Sequence, residues 1–138
     1  MYVPNSLSNT VDVLSQRTGR VLRQFATGAL PQHVTPSWDL RTLWVSNDDA
    51  NELTPIDPRT RRPLAKWRIP GPASPDMGGV SASGRVLWLS GRYDGEVYAI
   101  STRTGRLLHR IRVGSGPHGL CVWPQPGRYS IGHTGILR

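Results

Sequence analysis

One segment written three times limits what this chain can fold into more than any other feature. Leu-Trp-Val-Ser at 43–46 returns as Leu-Trp-Leu-Ser at 87–90, and Met-Tyr-Val-Pro opens the chain. Tyr2, Trp44 and Trp88 are 42 and 44 residues apart. Val11, Leu53 and Val97 keep the same two spacings, and so do Thr18, Thr60 and Thr104. Pro31, Pro75 and Pro117 are 44 and 42 apart, and a fourth copy begins near Ile131. A period of this size means stacked copies of one supersecondary unit.

Each period reads as four short strands. Tyr2–Pro4, Trp44–Ser46 and Trp88–Ser90 are aromatic, β-branched or leucine-rich runs of strand length. Asn/Gly/Asp stretches follow at 5–9, 47–51 and 91–95, then a second strand at 11–14, 53–56 and 97–100. The next turn is written SQRTGR, DPRTRR and STRTGR. Gly19 and Gly105 suit a left-handed turn position, and Ser15, Asp57 and Ser101 can bond forward to the turn backbone. Arg61 replaces the turn glycine in the middle copy, at a cost of ~1 kcal/mol or a change of turn type. Third strands are expected at 21–25, 64–69 and 107–113. A Gly/Pro loop then leads to a strand near 33–36, 77–81 and 119–123. Gly and Pro total 27 residues, which argues against helical repeats of similar length, and no window carries a capped apolar stripe of period 3.6. A four-stranded repeat of ~40–45 residues is a β-propeller blade, with a generic β-sandwich as the alternative.

These residues resemble the YVTN β-propeller repeat family. The matching segments are MYVPN, LWVSN and LWLSG, followed by the Thr-Gly-Arg turn and a Gly-x-Gly-Pro-His-Gly loop. The fullest copy is VYAISTRTGRLLHRIRVGSGPHGL, within 86–128. The expectation is one partial domain over 1–138, with repeats at about 1–41, 42–85 and 86–128 and an incomplete fourth at 129–138. The resemblance implies an all-β propeller of about three blades, a part of a ring that has about seven. Three blades cannot close a ring. The chain thus reads as the C-terminal part of a longer propeller or a product trimmed at its start. Two chains could also associate to complete a ring.

Composition excludes several classes. No run approaches the ~18 apolar residues of a membrane span. No signal peptide is visible after Met1, while the resemblance implies a bacterial protein acting in the periplasm or outside the cell. The single cysteine, Cys121, rules out an intrachain disulfide framework and is expected in the core of an inner strand. Seventeen Lys and Arg against nine Asp and Glu give +8, and sixteen of the seventeen are Arg.

Hairpin connections alternate between two faces, so the repeat places the charge. Counting strands from the inside outward, loops one-to-two and three-to-four share the lower face. Arg17, Arg20, Arg59, Arg61, Arg62, Arg103 and Arg106 fall there, with Arg41, Arg85 and Arg128. Loops two-to-three and four-to-one share the upper face, with Asp48, Asp49, Glu52, Asp76, Asp94, Glu96 and Arg92. The expectation is a basic lower rim, represented by Arg17, Arg20, Arg61, Arg62, Arg103 and Arg106, beneath an acidic mouth.

The four-to-one loops open on the channel, the natural ligand site. Equivalent positions after the loop proline are Gln32, Asp76 and His118, followed by His33, Met77 and Gly119. His118 and Asp76 belong to adjacent blades and can meet, as an imidazole oriented by a carboxylate. His33, Asp76 and His118 supply no short metal-ligand pair, so no metal is expected. There is no nucleophile elbow, and the Gly-rich loop at 114–119 has no following helix, so no catalytic residues and no cofactor are assigned. Trp44 and Trp88 sit at core positions rather than along the Arg rim, which argues against a nucleic-acid partner. The expected function is a binding scaffold for a small molecule or protein. The alternatives are a fragment of a lactonase-like or quinoprotein-dehydrogenase-like propeller enzyme, and a remnant without independent activity.

Overall fold

The computed structural model describes residues 1–123 and the backbone of 129–131 and 135–137. The described residues are strands and turns. The first sheet holds β1 (Tyr2–Asn5), β2 (Thr10–Leu14) and β3 (Val21–Ala26) in that order. The second runs β4 (Pro31–Pro36), β5 (Leu43–Asn47), β6 (Glu52–Asp57), with β7 (Arg62–Pro63) and β8 (Trp67–Arg68) both pairing β6. The third runs β9 (Pro75–Val80), β10 (Val86–Gly91), β11 (Glu96–Ser101), β12 (Leu107–Arg112). β13 (Tyr129–Ile131) and β14 (Gly135–Leu137) pair with each other. All pairings are antiparallel, and the fold is an all-β array of about three propeller blades.

Two expected strands differ. The third strand of the second sheet, expected over 64–69, is split into β7 and β8. Leu64–Lys66 lie between them, although Leu64 N–H still reaches Pro55 O at 2.8 Å. Residues 119–123 form no strand, and Cys121 is exposed rather than in a core. A strand needs a neighbour for its N–H and C=O groups. Among the described residues, these five have no ladder partner.

The turns behave as their residues require. Gly19, Arg61 and Gly105 all take positive φ (69°, 58°, 71°), so the middle turn keeps the same form with a strained arginine. Thr18 N–H donates to Ser15 Oγ, Arg59 N–H to Asp57 Oδ1 and Thr104 N–H to Ser101 Oγ. Positive φ also recurs at the equivalent Asn9, Asn51 and Gly95; asparagine and glycine tolerate it best.

The core lies between sheets. Val11 of the first sheet packs on Leu43, Val45 and Ile56 of the second, with Tyr2, Phe25 and Val34 at the margin. Trp44 and Leu53 face the other way, against Leu87, Leu89, Tyr98 and Ile100 of the third. This is the period-2 alternation of a sheet covered on both faces. Hydrogen bonds pin the array along one side. Tyr2 Oη donates to Pro58 O, Trp38 Nε1 to Ser81 O and Thr102 Oγ1 to Gly84 O.

Candidate functional site at the channel mouth

The innermost described strands, β4 and β9, lie side by side. Each carries an irregularity at its start. Pairing of β4 with β5 shifts between Pro31 and His33, and that of β9 with β10 shifts between Leu89 and Gly91. An extra residue at a sheet edge re-aims the side chains around it. Here the residues concerned are Gln32 on β4 and Asp76 and Met77 on β9. Gln32 and His33 are half-buried, and Asp76 is fully buried.

Asp76 and His118 do meet: His118 Nε2 lies 3.5 Å from Asp76 Oδ2, with the imidazole half exposed. The loop carrying His118 is held by Ser90, whose Oγ accepts from Gly119 N–H at 3.0 Å and donates to Met77 O at 3.0 Å. Ser46, at the equivalent place in the second sheet, accepts from His33 N–H at 3.2 Å. In the second and third sheets a serine thus ties the strand-two segment to the mouth.

Sequence reasoning did not single out Asp48 for this site. Its carboxylate is 1% exposed, and neither oxygen has a hydrogen-bond partner. Burial pushes its pKa up to about 6, helped by the charges of Asp76 and Asp49 and opposed by Arg92. The sequence hid it because its equivalents are Ser6 and Arg92, so no repeated carboxylate flags the position. Together, Asp48 and Asp76 put two buried carboxylates at the mouth, with His118 on the exposed side.

The rest of the upper face is less of an acidic surface than expected. Burial raises the Asp94 pKa, but hydrogen bonds from Tyr98 and Ser74 outweigh it and hold Asp94 below the usual carboxylate range. Tyr98 is correspondingly pushed well up, by burial and then by that bond. Glu52 is buried and 3.8 Å from Lys66 Nζ, and Glu96 pairs with Arg110. Most of these charges serve the fold.

The six arginines assigned to the lower rim are each exposed. Arg17 and Arg20 lie in the first turn, Arg61 and Arg62 in the second, and Arg103 and Arg106 in the third. Among the described residues, no carboxylate lies within ion-pair distance of these six. Asp57, the nearest acid in sequence, is held low by the Arg59 backbone N–H and spends its oxygens on its own turn. Arg128 and His133 lie outside the described residues.

Among the described residues, no group of three or more His, Cys, Asp or Glu could hold a metal ion. What the mouth offers chemically is a buried carboxylate 3.5 Å from an accessible imidazole.

No family model and no curated protein matches the chain. Solved structures do. It is similar to a Kuenenia stuttgartiensis hydrazine synthase chain, with TM-score 0.74 and 18% identity over 86% of this chain and 34% of that one. It is similar to virginiamycin B lyase from Staphylococcus aureus, with TM-score 0.72 and 17% identity over 86% and 40%. It is similar to the RRP9 WD40 repeats, with TM-score 0.72 and 12% identity over 88% and 38%. The chain thus spans between a third and two fifths of these structures' length. Identities this low speak to fold alone, and on that they agree with the strand order: this chain is a run of β-propeller blades that does not complete a ring.

Proposed function

We propose that the chain is a YVTN-type segment, in repeats near 1–41, 42–85 and 86–128, whose channel mouth binds a ligand. The observation that carries this reading is the Asp76–His118 pair, a fully buried carboxylate set on a half-exposed imidazole that two different repeats bring together. Among the described residues no group of three or more metal-ligating side chains accompanies the pair, and we take binding as the reading it supports. The structural neighbours include both a lyase and WD40 repeats, so the fold itself favours neither. Gln32 and His33, one repeat earlier, line the approach, and the arginine rim is a second, electrostatic surface on the far face. The family resemblance adds an extracytoplasmic setting.

A thermal-shift screen of a small-metabolite panel tests the site, because a ligand that binds only the folded state raises its melting temperature. Hits on the wild-type chain should vanish in both Asp76→Ala and His118→Ala. Hits that persist unchanged in both variants place the ligand elsewhere and end the proposal.

A further inference from the structure

A cleft of about 440 Å³ opens between the second and third sheets, at the end of the blades opposite the mouth. Volumes of that order hold small ligands. One wall is the turn after β4 with the start of β5, and the other is the turn after β9 with Thr102. Both walls lie well inside the chain, in sheets that pack on each other.

Two indoles form the apolar part. Trp38 is half-buried, and its Nε1 donates to Ser81 O at 2.7 Å, which fixes the ring across the seam. Trp44 is 3% exposed at the floor, and its Nε1 has no hydrogen-bond partner among the described residues. The repeat shows how that donor is left over. Tyr2, the equivalent of Trp44, donates its hydroxyl to Pro58 O on the adjacent sheet. Thr102 stands at the place of Pro58, but its own hydroxyl donates to Gly84 O and the Trp44 N–H finds no acceptor there. A buried indole N–H normally has a partner, and an unmet one is costly.

The polar part is rich in acceptors. Ser37 Oγ donates to Asp39 Oδ1 at 2.7 Å and accepts from Thr42 N–H, so its proton is used inside the protein. The Thr102 hydroxyl uses its proton in the same way. Asp39 Oδ1 accepts from Ser37 and from the Arg41 N–H. Its Oδ2 lies 3.9 Å from Arg41 Nε, too far for a hydrogen bond, on a side chain that is 60% exposed. What these groups retain is lone pairs. Among the described residues, no Lys or Arg lines the cleft. An anion therefore meets no cation on its walls, whereas a ligand made of hydroxyls meets acceptors for its protons.

We propose that this cleft is a second binding site, for the ring of a neutral sugar. A pyranose presents weakly positive C–H bonds on one face, which suit the negative face of the Trp38 indole. Its hydroxyls donate to Asp39 Oδ2 and to the Thr102 hydroxyl, and a sugar oxygen at the floor gives the Trp44 N–H its acceptor. A quaternary ammonium would suit the indole and Asp39 as well, but it carries no acceptor for Trp44. The unpaired N–H thus favours the sugar. The site is separate from the Asp76–His118 pair and does not depend on it.

The five tryptophan indole N–H groups give an NMR readout at the site itself. D-Glucose, D-galactose, D-mannose and N-acetyl-D-glucosamine are each titrated to about 50 mM on the isotope-labelled chain, which reveals Kd values of roughly 1–10 mM. At least one sugar should shift the Trp38 and Trp44 indole signals, assigned with Trp38→Phe and Trp44→Phe, along a saturable curve. Asp39→Asn, which keeps an oxygen for Ser37 and Arg41, should weaken that binding about ten-fold, and Trp38→Ala should abolish it. No saturable shift with any of these sugars, shifts confined to the other indoles, or unchanged binding in Asp39→Asn overturns the proposal. Tetramethylammonium moving the same two signals in the sugars' place overturns it as well and assigns the cleft to a cation.

Discussion

The first and second sheets are copies of one repeat and live in different surroundings. Val3 and Val45 are equivalent, yet Val3 is 38% exposed and Val45 fully buried. All five residues of β5 are buried, and none of the four in β1 is. The difference teaches that a blade does not own its stability. In an array whose units touch only their neighbours, the interface terms do much of the stabilising.

The comparison can be broken at matched positions. Ile56→Ala should destabilise by about 2–4 kcal/mol, because the site is fully enclosed. Leu14→Ala, the same position in the first sheet, should cost less than about half of that, since the site is only partly covered. Denaturant midpoints on the pair decide it; equal losses would mean that the outer face of the first sheet is as well covered as the inner one.

A smaller effect distinguishes Asp48 from its equivalent Ser6. Folding raises the Asp48 pKa to about 6, so between pH 4 and 6 the folded state holds a proton that the unfolded state has lost. Its contribution is therefore fully present below about pH 4 and is lost as pH rises through 6. Asp48→Asn should stabilise the chain by about 1–3 kcal/mol at pH 7 and by little at pH 4. Melting curves at both pH values measure the difference, and a gain that does not depend on pH contradicts it.

The smallest effect compares turns. Arg61→Gly should relieve the left-handed strain that Gly19 and Gly105 avoid, a gain of up to about 1 kcal/mol. A loss of stability on unfolding would show that the Arg61 side chain contributes more than its backbone costs.

What the sequence made legible follows from the same locality. The turns were readable because a positive φ, or a serine beside a bare N–H, is a demand that a few residues meet on their own. Strand order followed from the period. Residues 119–123 misled because their pattern matches β4 and β9 while a ladder depends on a partner elsewhere in the chain. The Asp76–His118 meeting was legible, since both follow an equivalent proline and adjacent blades bring such positions together. The burial of Asp48 was not, because a position in a turn says nothing of what packs over it. The acidic mouth failed in part for that reason: Glu52, Asp94 and Glu96 were placed on the right loops, but their internal partners are set by tertiary contacts.

The loop-facing ends of β5 and β10 carry a wider consequence. Asn47 donates to Thr54 Oγ1 at 2.8 Å. At the same two places in the third sheet stand Gly91 and Tyr98, and a Cβ on Gly91 would come within 2.3 Å of the Tyr98 hydroxyl. The large ring exists only because its neighbour gave up a side chain, and the ring in turn anchors Asp94. The copies have diverged by exchanging pairs, with space passed from one residue to the other. Blades of this chain are thus not interchangeable cassettes. A shuffled array would tolerate the transfer of Gly91 with Tyr98, and would jam on Tyr98 alone.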